Sequence, residues 1–137
     1  MKISFVAGFG PIVPDVDASR RFWGDGLGIT LEEAAPSYYT NDDLEGVKAF
    51  ALWPLSQAAS STFGTDGWPD DIPAPQAWME LDVDSPEAVA AAAAELQAAG
   101  HRLLREAGVT QFNVYLMNGD EEQQLDAYGT AITTSVA

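Results

Sequence analysis

The stretch V-P-D-V-D-A-S-R-R-F-W-G-D-G-L-G, from Val13 to Gly28, decides the fold because the chain repeats its plan once. The second copy, V-D-S-P-E-A-V-A-A-A-A-A-E-L-Q-A-A-G, leads from Val83 to Gly100. Each copy is a strand end, an acidic helix start, a helix and a glycine stop. In the first, Asp15 or Asp17 is the cap, because a short carboxylate accepts a bond from an amide that the first turn leaves unpaired. Gly24, Gly26 and Gly28 then stop the helix. In the second, Ser85 caps, Pro86 takes the first helical position, and Glu87 sits at the positive end of the helix dipole. Val89, Ala92, Ala93 and Leu96 recur at helical spacing and give a narrow buried stripe. The copies lie about 70 residues apart, half the chain, and an internal repeat outranks single-segment signals in choosing a fold.

Working outward, residues 3–13 read as a first strand. Residues 29–33 and 37–40 read as short strands around Pro36, 41–46 as a polar turn, and 47–55 as the next strand. The first half is thus β-α-β-β-β. Residues 56–75 are rich in Ser, Gly, Asp and Pro and read as a long connection holding Phe63 and Trp68. A loop beyond about 12–15 residues in a compact domain tends to be functional or mobile. Residues 77–83 read as a strand. After the second helix, 101–104, 110–117 and 124–131 fill the remaining strand slots, with Asn118-Gly119-Asp120 as a hairpin turn. The expectation is an α+β fold in one domain, residues 1–137, with module one at 1–55, a linker at 56–75 and module two at 76–137.

Composition narrows the chemistry. There is no cysteine, so disulfides, thiolate catalysis and zinc–thiolate sites are excluded. The one histidine, His101, rules out a site needing two; following a helix stop, it reads as a surface loop residue rather than a base. A net charge of −15 repels phosphate backbones and argues against nucleic acid as a partner. No apolar run approaches the roughly 18–20 residues that span a membrane, and the N-terminus is a poor secretory signal. A cytoplasmic protein is expected.

Two β-α-β-β-β modules in a chain of this length resemble the vicinal oxygen chelate superfamily, which includes glyoxalase I, extradiol dioxygenases and the bleomycin-resistance proteins. The resembling pieces are Asp15 to Gly28, Val83 to Val89 and N-G-D-E-E-Q-Q-L-D-A-Y, from Asn118 to Tyr128. In that family each module curls into a half-cup, and two half-cups, from one chain or shared across a homodimer, enclose a cavity. The resemblance therefore implies a curled mixed sheet and a homodimer. It also implies metal ligands on the first and last strand of each module. Here those places hold Gly8, Ala77 or Trp78, and the apolar stretch Phe50 to Trp53; only Asp126 keeps an acid. A divalent metal needs several convergent N or O donors, so no metal and no cofactor are expected. Acids at alternating positions, Glu80 and Asp82 with Asp126, read as solvated rather than as a hard-ion site.

Aromatic side chains are expected where the metal would be. Trp78 and Trp53, with Phe9 and Tyr39, offer stacking surfaces for a flat ligand. Trp68 and Phe63, on the connection, are candidates to close the mouth or pack on a partner. Glu80, Gln111, Asn113 and Asp126 are the candidate orienting groups. Strand alternation puts Gln111, Asn113 and Tyr115 on one face and Phe112, Val114 and Leu116 on the other. The second set is the better core, which leaves the first facing water or ligand.

The leading functional expectation is a metal-free protein that sequesters an aromatic natural-product antibiotic, bleomycin-, mitomycin- or enediyne-like, in a dimer-shared groove. The alternatives are an enzyme of the same fold with Glu80 or Asp126 as general base, and a metabolite sensor.

Overall fold

A computed structural model of the chain describes residues 1–104 and the backbone of strand 111–117. The fold is α+β, a mixed open sheet with three helices. In chain order the elements are β1 (Ile3–Val13), α1 (Val16–Arg20) running into a π-helical turn (Arg21–Gly26), β2 (Glu32–Ala35), β3 (Tyr38–Asn41), β4 (Ala49–Pro54), α2 (Leu55–Phe63), β5 (Pro75–Val83), α3 (Pro86–Ala98) and β6 (Gln111–Met117). The sheet order is β2-β3-β4-β1-β5-β6. β4 returns parallel to β1, and β5 lies antiparallel on its other side. Among the described residues, no helix is long and apolar enough to cross a membrane.

The repeated helix starts take the expected form. Asp15, not Asp17, is the cap of α1: its Oδ1 accepts from the amide of Ala18 at 2.9 Å, and Asp17 falls in the first turn. Ser85 caps α3 in the same way through Ala88, with Pro86 following. Gly100, at φ 89°, closes α3: its amide donates to Gln97 and that of His101 to Leu96, a left-handed stop that satisfies the last carbonyls. At the first copy only Gly28 takes a left-handed φ, 75°, and Gly24 and Gly26 stay inside the widened turn, where Leu27 N–H donates to Phe22 O at 3.0 Å.

Two expectations are corrected. The stretch expected as an unstructured connection begins with helix α2, whose Ala58 and Ala59 are fully buried. Its Ser- and Thr-rich composition carries little helical signal; tertiary burial of two small side chains stabilises it. The Nε2 group of Gln57 also donates to Pro36 O at 2.8 Å, tying α2 to the β2–β3 turn. Residues 101–104, expected as a strand, join no strand. The expected turn at 118–120 and strand at 124–131 lie outside the described residues. In the first half the fourth strand flanks β1 in parallel, whereas β5 is flanked on its outer side by β6, antiparallel and the next described strand after α3.

The sheet has two packed faces. Under α1 and the π-helical turn lie Val13, Phe50 and Leu52, with Trp23 against Phe50 at 5.5 Å between ring centres. On the other face, Ile12, Ala51 and Trp78 pack against Ala58 of α2. Between them β1 and β4 approach closely: a Cβ at Gly10 would run into the carbonyl oxygen of Ala51. Gly10→Ala is therefore expected to lower the unfolding free energy by about 1–3 kcal/mol, the usual cost of overpacking, read as a shift of the urea midpoint.

Candidate functional site

Strand alternation sorts the chemistry onto the α2 face. On β5, Trp78, Glu80 and Asp82 share that face. Across from them on β1, Gly8 and Gly10 leave the backbone bare, and Ala49 pairs with Gly8 from β4. The capping residues Asp15 and Ser85 stand 70 positions apart, so the residue seven before each is Gly8 in one half and Trp78 in the other. These equivalent positions touch. A Cβ built on Gly8 would lie 2.6 Å from Trp78 Cζ3 and 3.1 Å from Glu80 Oε2. The indole thus fills the space that a side chain at position 8 would use, and the Glu80 carboxylate stands beside it.

Trp53 joins this group. Its ring meets that of Trp78 edge-on, 5.9 Å between centres and 80° between planes, a favourable aromatic geometry. Beyond Trp78 the floor opens into a hollow of about 300 Å³ lined by Ala7, Ala49, Asp42, Lys48 and Glu80. Burial pushes the Glu80 carboxyl above the ordinary glutamate range, with Asp82 adding to the shift and Lys48 opposing it. Burial also raises the Tyr38 phenol, followed by the charges of Glu80 and Asp42. Among the described residues, two buried polar atoms on this face, Trp78 Nε1 and Asp82 Oδ1, have no hydrogen-bond partner. Leaving such a group unpaired costs about 1–3 kcal/mol.

The sequence-derived candidates divide. Trp78, Trp53 and Glu80 come together. By backbone register Tyr115, Asn113 and Gln111 occupy the positions opposite Trp78, Glu80 and Asp82. Phe9 and Tyr39 do not join them; both pack on the opposite face with Val13, Phe50 and Leu52. Tyr39 borders a separate hollow there, with the Arg20 guanidinium 5.9 Å from its ring centre. Its neighbour Tyr38 is the tyrosine of the α2 face, because one residue along a strand reverses the face. Phe63 and Trp68 pack edge to face at 5.1 Å, and Trp68 Nε1 donates to the carbonyls of Ile72 and Pro73. Trp68 packs, partly buried, against the cluster of Ile12, Ala51, Ala58 and Trp78. Asp126 lies outside the described residues.

Sequence reasoning missed Tyr38, Asp42 and Lys48. The signal for Tyr38 was the period of two, which needed the register of β3 on β4, Tyr39 opposite Leu52, to read. Asp42 and Lys48 sit at the ends of a polar turn, where nothing in the sequence separates a solvated charge from a lining one. Among the described residues, no three His, Cys, Asp or Glu side chains are grouped to hold a metal ion.

Two outcomes follow from this packing. Gly8→Ala is expected to destabilise by about 1–3 kcal/mol, and adding Trp78→Phe should recover part of the loss; a double-mutant cycle with no coupling would disprove the contact. Because the folded-state pKa of Glu80 is raised, its ionisation opposes folding. Its destabilising effect is absent below the ordinary glutamate pKa and grows as pH rises through the folded value. Glu80→Gln should remove that decline, so urea melts of the two proteins should converge in acid and separate toward neutrality.

Comparison with protein-family models, with curated proteins and with solved structures gives no match to this chain.

Proposed function

We propose that this chain is a metal-free member of the vicinal oxygen chelate superfamily that binds and sequesters an aromatic natural product, bleomycin-, mitomycin- or enediyne-like, as a cytoplasmic homodimer whose sheets curl into a shared cup. The order β2-β3-β4-β1, with β4 parallel to β1, supports the modular reading of the first half. The observation that carries the functional reading is the edge-on Trp53–Trp78 pair, with the Trp78 indole lying against the bare backbone at Gly8. Large planar groups bury extensive apolar area at little conformational cost and stack on flat ligands. The partnerless Trp78 Nε1 and Asp82 Oδ1 supply a donor and an acceptor for orienting it, once the indole shifts to admit the ligand. The net charge of −15 favours a ligand carrying positive charge.

Sequestration is stoichiometric, so the test is a titration. Intrinsic tryptophan fluorescence should be quenched by one of a panel of DNA-damaging aromatic antibiotics, with saturation at one ligand per cup and the compound recovered unchanged. Trp78→Ala should weaken that binding by about 1–3 kcal/mol while the protein still folds. Saturation with unaltered affinity in Trp78→Ala would remove the indole from the site, and absence of binding across the panel would overturn the antibiotic reading.

A further inference from the structure

The hollow on the α1 face, away from the paired tryptophans, is built by the end of the first helical segment. Gly24 and Gly26 lie inside the π-helical turn, whose wide ring closes where Leu27 N–H donates to Phe22 O at 3.0 Å. Widened turns of this kind recur at functional sites. Gly28, at φ 75°, reverses the chain, and Ile29 N–H comes back to Trp23 O at 3.2 Å. The Nδ2 group of Asn41 donates to Thr30 O at 2.7 Å and ties this return to β3. Between these walls lies a space of about 310 Å³, lined by Arg20, Asp25, Ile29, Thr30, Leu31 and Tyr39.

Two opposite charges line this space without meeting. The Arg20 guanidinium lies 5.9 Å from the Tyr39 ring centre, a cation–π contact that sets its place and leaves the N–H donors at its edge available. Among the described residues the ion pairs are Met1 with Glu95 and Lys2 with Asp84, so neither Arg20 nor Asp25 has a charged partner. Both are exposed, while Ile29 and Leu31 are half-buried and supply the apolar wall. An exposed charge pairs weakly with a single ion in water. A plain anion would also meet Asp25, and a plain cation Arg20. A ligand with both charges on one carbon avoids each repulsion and makes two charge-assisted contacts for one loss of translational freedom. The space is at the small end of the range for ligand pockets, about 300–1,000 Å³, which suits a single small molecule rather than a peptide.

We propose that this hollow binds a free α-amino acid with an apolar side chain, its carboxylate on Arg20, its ammonium on Asp25 and its side chain against Ile29 and Leu31. The site lies on the opposite sheet face from Trp53 and Trp78 and does not depend on antibiotic sequestration.

The test is isothermal titration of the full chain with L-leucine, L-methionine and L-phenylalanine, beside the N-acetyl and carboxamide derivatives of each. Saturation by at least one of the amino acids at one per chain is expected. Either derivative, which lacks one of the two charges, should bind about 10-fold or more weakly, the usual worth of a hydrogen bond to a charged group. Arg20→Gln and Asp25→Asn should each weaken the amino acid by a similar factor. Arg21→Gln makes the same change of charge one residue away, outside the hollow, and should bind as the parent does. No saturation with any of the three amino acids, undiminished binding of either derivative, or undiminished affinity in Arg20→Gln or Asp25→Asn overturns the proposal. An equal loss in Arg21→Gln would make the effect one of net charge and overturn it as well.

Discussion

The contact of the Trp78 indole with the bare backbone at Gly8 is the constraint on which this structure depends. Trp78 is 5% exposed, and its benzo edge lies where a side chain at position 8 would be. The two residues occupy equivalent places in the two halves of the sequence, one as small and the other as large as the amino acids allow. Complementary volumes fill a shared space that two medium side chains would leave either crowded or void. The same contact joins β1 to β5, which is the seam between the halves of the sheet.

Small residues continue that logic along β1 and β4. Gly10 lets its strand approach the carbonyl of Ala51, and Ala51 and Ala58 are fully buried between sheet and helix α2. The aromatic rings then have a flat surface to stand on. Where the small residues run past the edge of α2, the floor is uncovered, and the hollow beside Glu80 is the result. Packing thus produces the electrostatics: the carboxyl of Glu80 is held high first by burial, and the like charge of Asp82 only adds to it. In a chain with 21 acidic and 6 basic side chains, the placement of Lys48 at that hollow gives the site a polarity the surface as a whole lacks.

Helix starts were legible in the sequence because capping is local. Asp15 and Ser85 each bond an amide three residues on, and no distant residue decides the matter. Strands β1, β4 and β5 were legible to within two residues for a related reason, since apolar runs bounded by Pro, Gly and Asp have few other uses. Helix α2 was not legible. Its serines and threonines resemble a loop, and only the sheet beneath Ala58 and Ala59 makes the helix favourable. That Tyr38 and not Tyr39 lies on the α2 face is a matter of register, and the hydrogen bonds of Trp68 to Ile72 and Pro73 exist only once the connection folds back on itself.

By itself, then, the sequence determined the repeated strand–helix starts, the α+β class, the exclusion of thiolate and multi-histidine chemistry, and the candidacy of Trp53, Trp78 and Glu80. These rest on local bonding, on period and on inventory, none of which needs a partner strand. Only the tertiary structure decided that Trp53, Trp78 and Glu80 share a face, that Phe9 and Tyr39 belong to the other, and that Asp42 and Lys48 meet Glu80 across the same hollow. Those are facts of strand register, and register is set by long-range pairing, in which a one-residue slip sends every side chain to the opposite face.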